Sequence, residues 1–215
     1  MTVNRNASMI RVSTPPIIGL LLAAGQSRRF GADKLSQRLP DGTPVAVAAC
    51  RALRSGVGTV FAVVRPGQER LAAALRVEGA DPGICFAAEA GIGASLAFGV
   101  RSTRHAGGWL VALADMPWIG PETIRQIAAE LARGADCVVP VHQGRRGHPV
   151  GFGRSFGPDL ERLGSDEGAR SILCRQPHRI HRIEVDDPGI LLDIDEPGDL
   201  LSAPLAAIAL PPAGR

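Results

Sequence analysis

A continuous apolar run at residues 17–24 is followed at once by a glycine and a basic loop, and this stretch constrains the chain most strongly. An apolar run without polar alternation is typical of a central strand in a parallel sheet that helices cover on both faces. The loop at the carboxyl end of such a strand is where open α/β sheets bind ligands. Small residues at 23–25 let backbone N–H groups approach an anion, and Arg28, Arg29 and Lys34 add three positive charges. The stretch therefore predicts a polyphosphate site.

Two familiar phosphate-binding loops do not fit this stretch. A Walker loop needs Gly-Lys followed by Ser or Thr, and the chain contains no Gly-Lys dipeptide. A dinucleotide-binding loop needs Gly-x-Gly-x-x-Gly, whereas Gly25 and Gly31 have no matching glycine between them. The alternative for the three cations is a solvated surface cluster, and for Arg28 and Arg29 a structural ion pair with a carboxylate also stays open.

Length and composition indicate one α/β domain without a nucleic-acid or membrane partner. A chain of 215 residues can bury about 70% of the surface that its unfolded form exposes. Aromatic residues make up 4% and the net charge is only +3, so neither stacking platforms for single strands nor a strongly basic surface is indicated. No segment is apolar over the ~18 residues of a membrane span. The four cysteines lack zinc-site spacing, so we expect reduced thiols and a cytoplasmic location.

Strand and helix signals alternate along most of the chain, which is the pattern of a parallel sheet with right-handed crossovers. We therefore predict a single-domain, Rossmann-like α/β fold with a mostly parallel central sheet, helices on both faces and a small accessory β-element. The domain is expected at 15–202, between a flexible N-terminal extension at 1–14 and a flexible C-terminal tail at 203–215. Beyond the first strand, we expect strands at 58–64, 84–87, 109–114, 137–141 and 180–185, a turn followed by a short strand within 143–152, and helices at 44–55, 68–77, 97–104, 121–134 and 166–173.

Two acidic segments are candidate metal ligands. Asp115 directly follows the apolar strand at 109–114, so in a parallel sheet its carboxylate emerges at the same edge as Gly25. Asp193 and Asp195 share one face of an extended segment, about 7 Å apart, and both can reach one ion only if the segment bends. The alternative is that Asp115 and Asp195 cap the helices that follow them.

These segments resemble the signature of the nucleotidyltransferases that load a nucleoside triphosphate onto a phosphorylated acceptor. Within that superfamily the chain is most similar to the molybdenum cofactor cytidylyltransferases and their MobA-like relatives. The resemblance covers about residues 17–201, in the right order. Its motifs are Leu-Ala-Ala-Gly at 22–25, Ser-Arg-Arg-Phe-Gly at 27–31, Asp-Lys at 33–34, Ala-Asp-Met-Pro at 114–117, Arg-Gly-His-Pro-Val-Gly-Phe at 146–152 and Asp-x-Asp-x-Pro at 193–197.

The resemblance implies a nucleotidyltransferase fold and a Mg²⁺-dependent transfer of CMP from CTP to a molybdopterin-type cofactor. The products would be the cytosine dinucleotide cofactor and pyrophosphate. It also implies roles for individual residues. The catalytic residues would be Lys34, Asp115 and Arg28; the Mg²⁺ ligands would be Asp115 and Asp195; and the substrates would contact Leu22, Ala23, Ala24, Gly25, Arg29, Gly93, Ser95 and His148.

Several alternatives stay open at this point. Guanylyltransferase relatives usually carry a second glycine where this chain has Ala24, which favours cytosine. On the residues alone, however, Gly93–Ser95 is a common glycine-rich turn before a helix and His148 an ordinary turn histidine. Asp166 is either a helix cap or a ligand contact. Two other functions are a guanylyltransferase of the same fold and a noncatalytic chaperone that passes the cofactor to a molybdenum hydroxylase.

Overall fold

The computed structural model describes residues 15–25, 30, 33–164 and 167–201. Arg28, Arg29 and Asp166 lie outside the described residues, as do the predicted extension at 1–14 and tail at 203–215. The strands are β1 (Ile17–Leu22), β2 (Val60–Val64), β3 (Asp81–Ile84), β4 (Gly108–Leu113), β5 (Cys137–His142), β6 (Arg145–Arg146), β7 (Val150–Gly153) and β8 (Ile180–Glu184). The helices are α1 (Val45–Val57), α2 (Glu69–Val77), α3 (Ile92–Ser102), α4 (Pro121–Ala132), α5 (Gly157–Glu161) and α6 (Arg170–Arg175).

The strands form one sheet in the order β3-β2-β1-β4-β7-β5-β6, and β8 also pairs with β5. The β1 strand lies between two parallel neighbours, so that Gly19 stands beside Val60 of β2 and Leu110 of β4. The β7 strand runs antiparallel between β4 and β5. The predicted α/β fold with a mostly parallel central sheet is therefore confirmed.

Two apolar cores cover the two faces of the sheet. Helices α1, α2 and α4 pack on one face, where Leu53, Leu75 and Ile127 are buried. Helices α3, α5 and α6 cover the other face through residues such as Leu96 and Leu160. Because side chains alternate along a strand, successive residues of β1 enter opposite cores, which explains why the whole strand is apolar.

Local signals set the ends of two of these helices. The α1 helix ends at Gly58, whose φ of 70° is a conformation that glycine adopts without steric cost. The α4 helix begins with Pro121, which needs no hydrogen-bond partner at the first helical position. Its residues Ile124, Ile127 and Leu131 recur at helical spacing and are buried against the sheet.

Three predicted elements are shifted in the structure. The predicted strand at 84–87 lies at 81–84, because an edge strand tolerates a proline and a glycine in its interior. The predicted helix at 97–104 begins at residue 92, since burial of its first two turns outweighs the low helix propensity of Gly93. The predicted helix at 166–173 lies at 170–175. None of the helices in the described part of the chain has the length and apolar character needed to cross a membrane.

Candidate active site

The carboxyl ends of β1, β2 and β4 meet at one edge of the sheet. The N–H of Ala23 donates to the carbonyl of Val63 over 2.8 Å, and the N–H of Ala114 donates to the carbonyl of Leu22 over 3.1 Å. The segment Leu22–Gly25 thus leaves the sheet between β2 and β4, with Leu22, Ala23 and Ala24 buried. Among the described residues, no heavy atom lies within 4 Å of a Cβ added at Gly25.

Lys34 stands at the centre of this edge. Its Nζ lies 2.8 Å from Oδ2 of Asp115 and 3.3 Å from Oδ1 of Asp195, and it donates to the carbonyl of Ile194 over 2.6 Å. The Lys34 side chain is only 11% exposed. The structure therefore brings together three of the residues that the sequence singled out, on segments that are far apart in the chain.

Backbone contacts hold the two carboxylates toward this lysine. The N–H of Ile194 donates to the carbonyl of Asp115 over 2.9 Å, which ties the C-terminal segment to the end of β4. Oδ2 of Asp199 accepts hydrogen bonds from the N–H groups of Asp195 (2.9 Å) and Glu196 (2.7 Å). These two bonds lower the pKa of Asp199. Asp199 was not predicted from the sequence, although an acidic residue three positions after Glu196 at the start of a short helix could have indicated it.

The electrostatics of the cluster favour a charged Lys34 and leave an excess of negative charge. Burial lowers the pKa of Lys34, but its hydrogen bonds and charge interactions with Asp115 and Asp195 outweigh this effect, so that the pKa is raised. The carboxylates of Asp115 and Asp195 both face the Lys34 ammonium group. Carboxylate oxygens are also suitable ligands for Mg²⁺, which usually binds one or two carboxylates together with substrate phosphates. Among the described residues no group of three or more His, Cys, Asp or Glu side chains forms a metal site. Asp115 and Asp195 together present two carboxylates that could hold such an ion with a substrate.

His148 lies next to this cluster. Its backbone N–H donates to the carbonyl of Ile190 over 2.9 Å. Burial lowers its pKa, while the charges of Asp115 and Asp193 and a hydrogen bond with the backbone of Val111 act in the opposite direction. Its buried Nδ1 has no hydrogen-bond partner among the described residues. A buried ring nitrogen without a partner suits a contact with a bound molecule.

Gly93 and Ser95 lie in the first turn of α3 rather than in a flexible turn. Ser95 is only 4% exposed. Its hydroxyl faces the Cys85 thiol. Burial raises the pKa of this thiol, and the hydrogen bond with Ser95 offsets only part of the increase. The carbonyl of Ala94 lies 4.0 Å from the sulfur of Cys85. The start of α3 is thus packed against the carboxyl end of β3, beside the same sheet edge.

The chain is similar in sequence to nucleotidyltransferases and to a purine catabolism protein. A family model described as a MobA-like NTP transferase domain matches residues 19–180. The purine catabolism protein PucB of Bacillus subtilis is 31% identical over 194 residues, which cover 86% of this chain and 94% of that protein. A probable molybdenum cofactor guanylyltransferase of Mycobacterium bovis is 33% identical over 132 residues, which cover 59% of this chain and 63% of that protein.

Solved structures share the same fold. The crystal structure of Rv0371c from Mycobacterium tuberculosis superposes with a TM-score of 0.78 at 28% identity, covering 88% of this chain and 99% of that one.

Proposed function

The chain belongs to the MobA-like NTP transferase family and is a nucleotidyltransferase, and we propose that it transfers CMP from CTP to a molybdopterin-type cofactor with Mg²⁺ as its metal. The products would be a cytosine dinucleotide cofactor and pyrophosphate. The observation that carries this proposal is the convergence of Lys34, Asp115 and Asp195 beyond the end of β1.

This cluster suits nucleotidyl transfer because the reaction asks for charge neutralisation and alignment rather than a covalent nucleophile. The Lys34 ammonium would neutralise phosphate oxygens of the nucleotide. Asp115 and Asp195 would hold Mg²⁺, which supplies further positive charge to the triphosphate when it is bound. The backbone N–H groups of Ala24 and Gly25, which follow the last hydrogen bond of the β1 ladder, would donate to the nucleotide.

The choice of cytosine rests on Ala24. Its side chain is buried at the sheet edge, and a methyl group there would narrow the space where a base would enter. A second candidate is guanylyl transfer, which the name of the Mycobacterium bovis relative favours. The molybdenum hydroxylase that would receive the product belongs to this proposal as well, as does the molybdopterin acceptor.

The test offers radiolabelled nucleotide and molybdopterin-type cofactor to the purified protein with Mg²⁺. With label on the α-phosphate of CTP, we expect label in the cofactor and one pyrophosphate released for each CMP transferred. Preferred labelling from GTP would contradict cytidylyl transfer and support guanylyl transfer. Binding of the cofactor without labelling from either nucleotide would contradict both and indicate the chaperone.

A further inference from the structure

Two buried polar groups in the turn after β2 have no hydrogen-bond partner in the described part of the chain and no place in the site described so far. They are Nε of Arg65 and Nε2 of Gln68, for which the described residues offer no hydrogen-bond acceptor. Gln68 is only 6% exposed. Leaving a buried donor unpaired costs about 1–3 kcal/mol, so such groups in a folded protein call for an explanation. An acceptor supplied by a ligand would be one.

The hydrogen-bond pattern places Gln68 beside the glycine-rich loop. The β1–β2 ladder runs in parallel register with Leu22 opposite Val63, and its last bond joins the N–H of Ala23 to the carbonyl of Val63. In a parallel ladder the next donor is the N–H of Arg65, directed at β1. That N–H donates instead to Oε1 of Gln68 over 2.9 Å. The Gln68 carboxamide therefore lies at the end of the β1–β2 ladder, and its Nε2 is fixed as the free donor.

Strand alternation places Arg65 on the face that α3 covers. Val63 packs in the core beneath α3, together with Ala24 and Cys85, and Arg65 follows Val63 by two residues. The registered pairs end at Leu22 with Val63 and at Val64 with Ile84, and continuing both registers would set Arg65 beside Ala24 on one side and Cys85 on the other. Arg65 thus lies between the Ala24 loop and the beginning of α3, the two segments for which the sequence analysis predicts a substrate contact.

We propose that Arg65 and Gln68 bind the acceptor edge of the nucleobase. Both groups donate, and a carbonyl oxygen beside an unprotonated ring nitrogen offers two adjacent acceptors, as O2 and N3 do in cytosine. Uracil carries a hydrogen on N3, so at that position it would place a donor against a donor of the protein and bind poorly. The inference rests on the proposed function in so far as the ligand is a nucleotide.

The position of the pair favours the base over the phosphates. Asp115 follows β4 and Arg65 follows β2, with β1 between these two strands. Two interstrand spacings separate their ends by about 10 Å. A nucleotide whose phosphates lie at Lys34 and Asp115 would extend across β1 and present its base on the β2 side.

The test compares binding of CTP and of inorganic tripolyphosphate, each with Mg²⁺, to the full chain by calorimetry. Arg65→Met keeps the aliphatic stem and removes the guanidinium. We expect it to weaken CTP binding at least about tenfold, the cost of one hydrogen bond from a charged donor, and to leave tripolyphosphate binding unchanged. Arg65→Lys, which keeps the charge but loses the planar fork, should not restore CTP binding. Arg76→Met, at the opposite end of α2 and exposed, is the matched control.

Three outcomes would overturn the proposal. Equal weakening of CTP and tripolyphosphate would assign Arg65 to the phosphates, as would full recovery in Arg65→Lys. Unchanged binding of both ligands would exclude Arg65 from the site. A wild-type protein that binds GTP instead of CTP would contradict the proposed base but not this inference, because O6 and N7 of guanine also form an acceptor pair. The same variants are then compared on GTP and tripolyphosphate.

Discussion

The Nζ of Lys34 lies 3.3 Å from Oδ1 of Asp195, a residue 161 positions further along the chain. The same nitrogen lies 2.8 Å from Oδ2 of Asp115. One ammonium group thus joins the loop after β1, the end of β4 and the C-terminal segment. This three-way contact assembles the candidate site.

Asp115→Asn should lower nucleotidyl transfer by several orders of magnitude while the protein stays folded. The change removes a charge from the group that would hold Mg²⁺ against the triphosphate. Steady-state turnover measures the effect, and circular dichroism checks the fold. Asp195→Asn is the comparison, with a smaller loss expected because a carbonyl oxygen still coordinates Mg²⁺. Wild-type turnover in Asp115→Asn would remove Asp115 from the mechanism.

Asp199→Ala should weaken Mg²⁺ activation by roughly 10- to 100-fold, as loss of a group that orients a metal ligand typically does. The reason is that the Asp199 carboxylate accepts hydrogen bonds from the backbone N–H groups of Asp195 and Glu196, which fixes the backbone that carries the Asp195 side chain. The Mg²⁺ concentration for half-maximal turnover is the measurement. In an Asp195→Ala background, where residue 195 no longer offers a ligand, the further effect should be small, since Asp199 acts through Asp195.

The control for Asp199 is Asp159→Ala. Asp159 also accepts a hydrogen bond, from Gln176 over 3.0 Å, but it lies on α5 after the antiparallel β7 and therefore at the opposite edge of the sheet. Equal losses in both variants would mean that the effect of Asp199 is one of general stability.

Ala24→Gly should lower the preference for CTP over GTP without reversing it. Removing a methyl group widens the space at the sheet edge and frees the backbone, effects worth roughly 1–3 kcal/mol against a competing substrate in a tight pocket. The ratio of kcat/KM for the two nucleotides in both proteins is the measurement. An unchanged ratio would show that Ala24 does not select the base.

Asp136→Asn should flatten the dependence of stability on acid pH and leave turnover at neutral pH unchanged. Hydrogen bonds from Arg179 and Ser155 lower the pKa of Asp136 from 3.8 to about 2. Because the folded-state pKa lies below the unfolded one, this stabilisation is present above pH 3.8 and is lost as the pH falls through about 2. The carboxylate is partly exposed, so we expect at most about 1 kcal/mol. Urea unfolding at several pH values measures it, and identical slopes in both proteins would contradict it.

The sequence predicted the parts of the fold that depend on local pattern. The apolar runs of β1 and β4 indicate buried strands directly, and the proline and apolar spacing of α4 indicate its start and inner face. The antiparallel insertion of β7 between β4 and β5 was not predicted, because strand order depends on contacts between distant segments. The start of α3 was misplaced because its glycines were interpreted as a turn, whereas tertiary packing keeps them helical.

The sequence predicted the charged side chains of the candidate site and the backbone segment at 22–25, but not the other backbone contacts. Lys34, Asp115 and Asp195 were singled out from their positions after apolar segments and from family motifs. The backbone carbonyl of Ile194, which accepts from Lys34, has no sequence signal, since every residue carries a carbonyl. Arg65 was also missed, although it directly follows a buried strand whose carboxyl end lies at the same edge.

The most direct test of the central claim is a crystal structure of the protein with a nonhydrolysable CTP analogue and Mn²⁺ in place of Mg²⁺, with the metal located by anomalous scattering. We expect the anomalous peak at the carboxylates of Asp115 and Asp195 and the phosphates against Nζ of Lys34. A metal and triphosphate bound away from these three residues would contradict the assignment of this sheet edge as the site of nucleotidyl transfer.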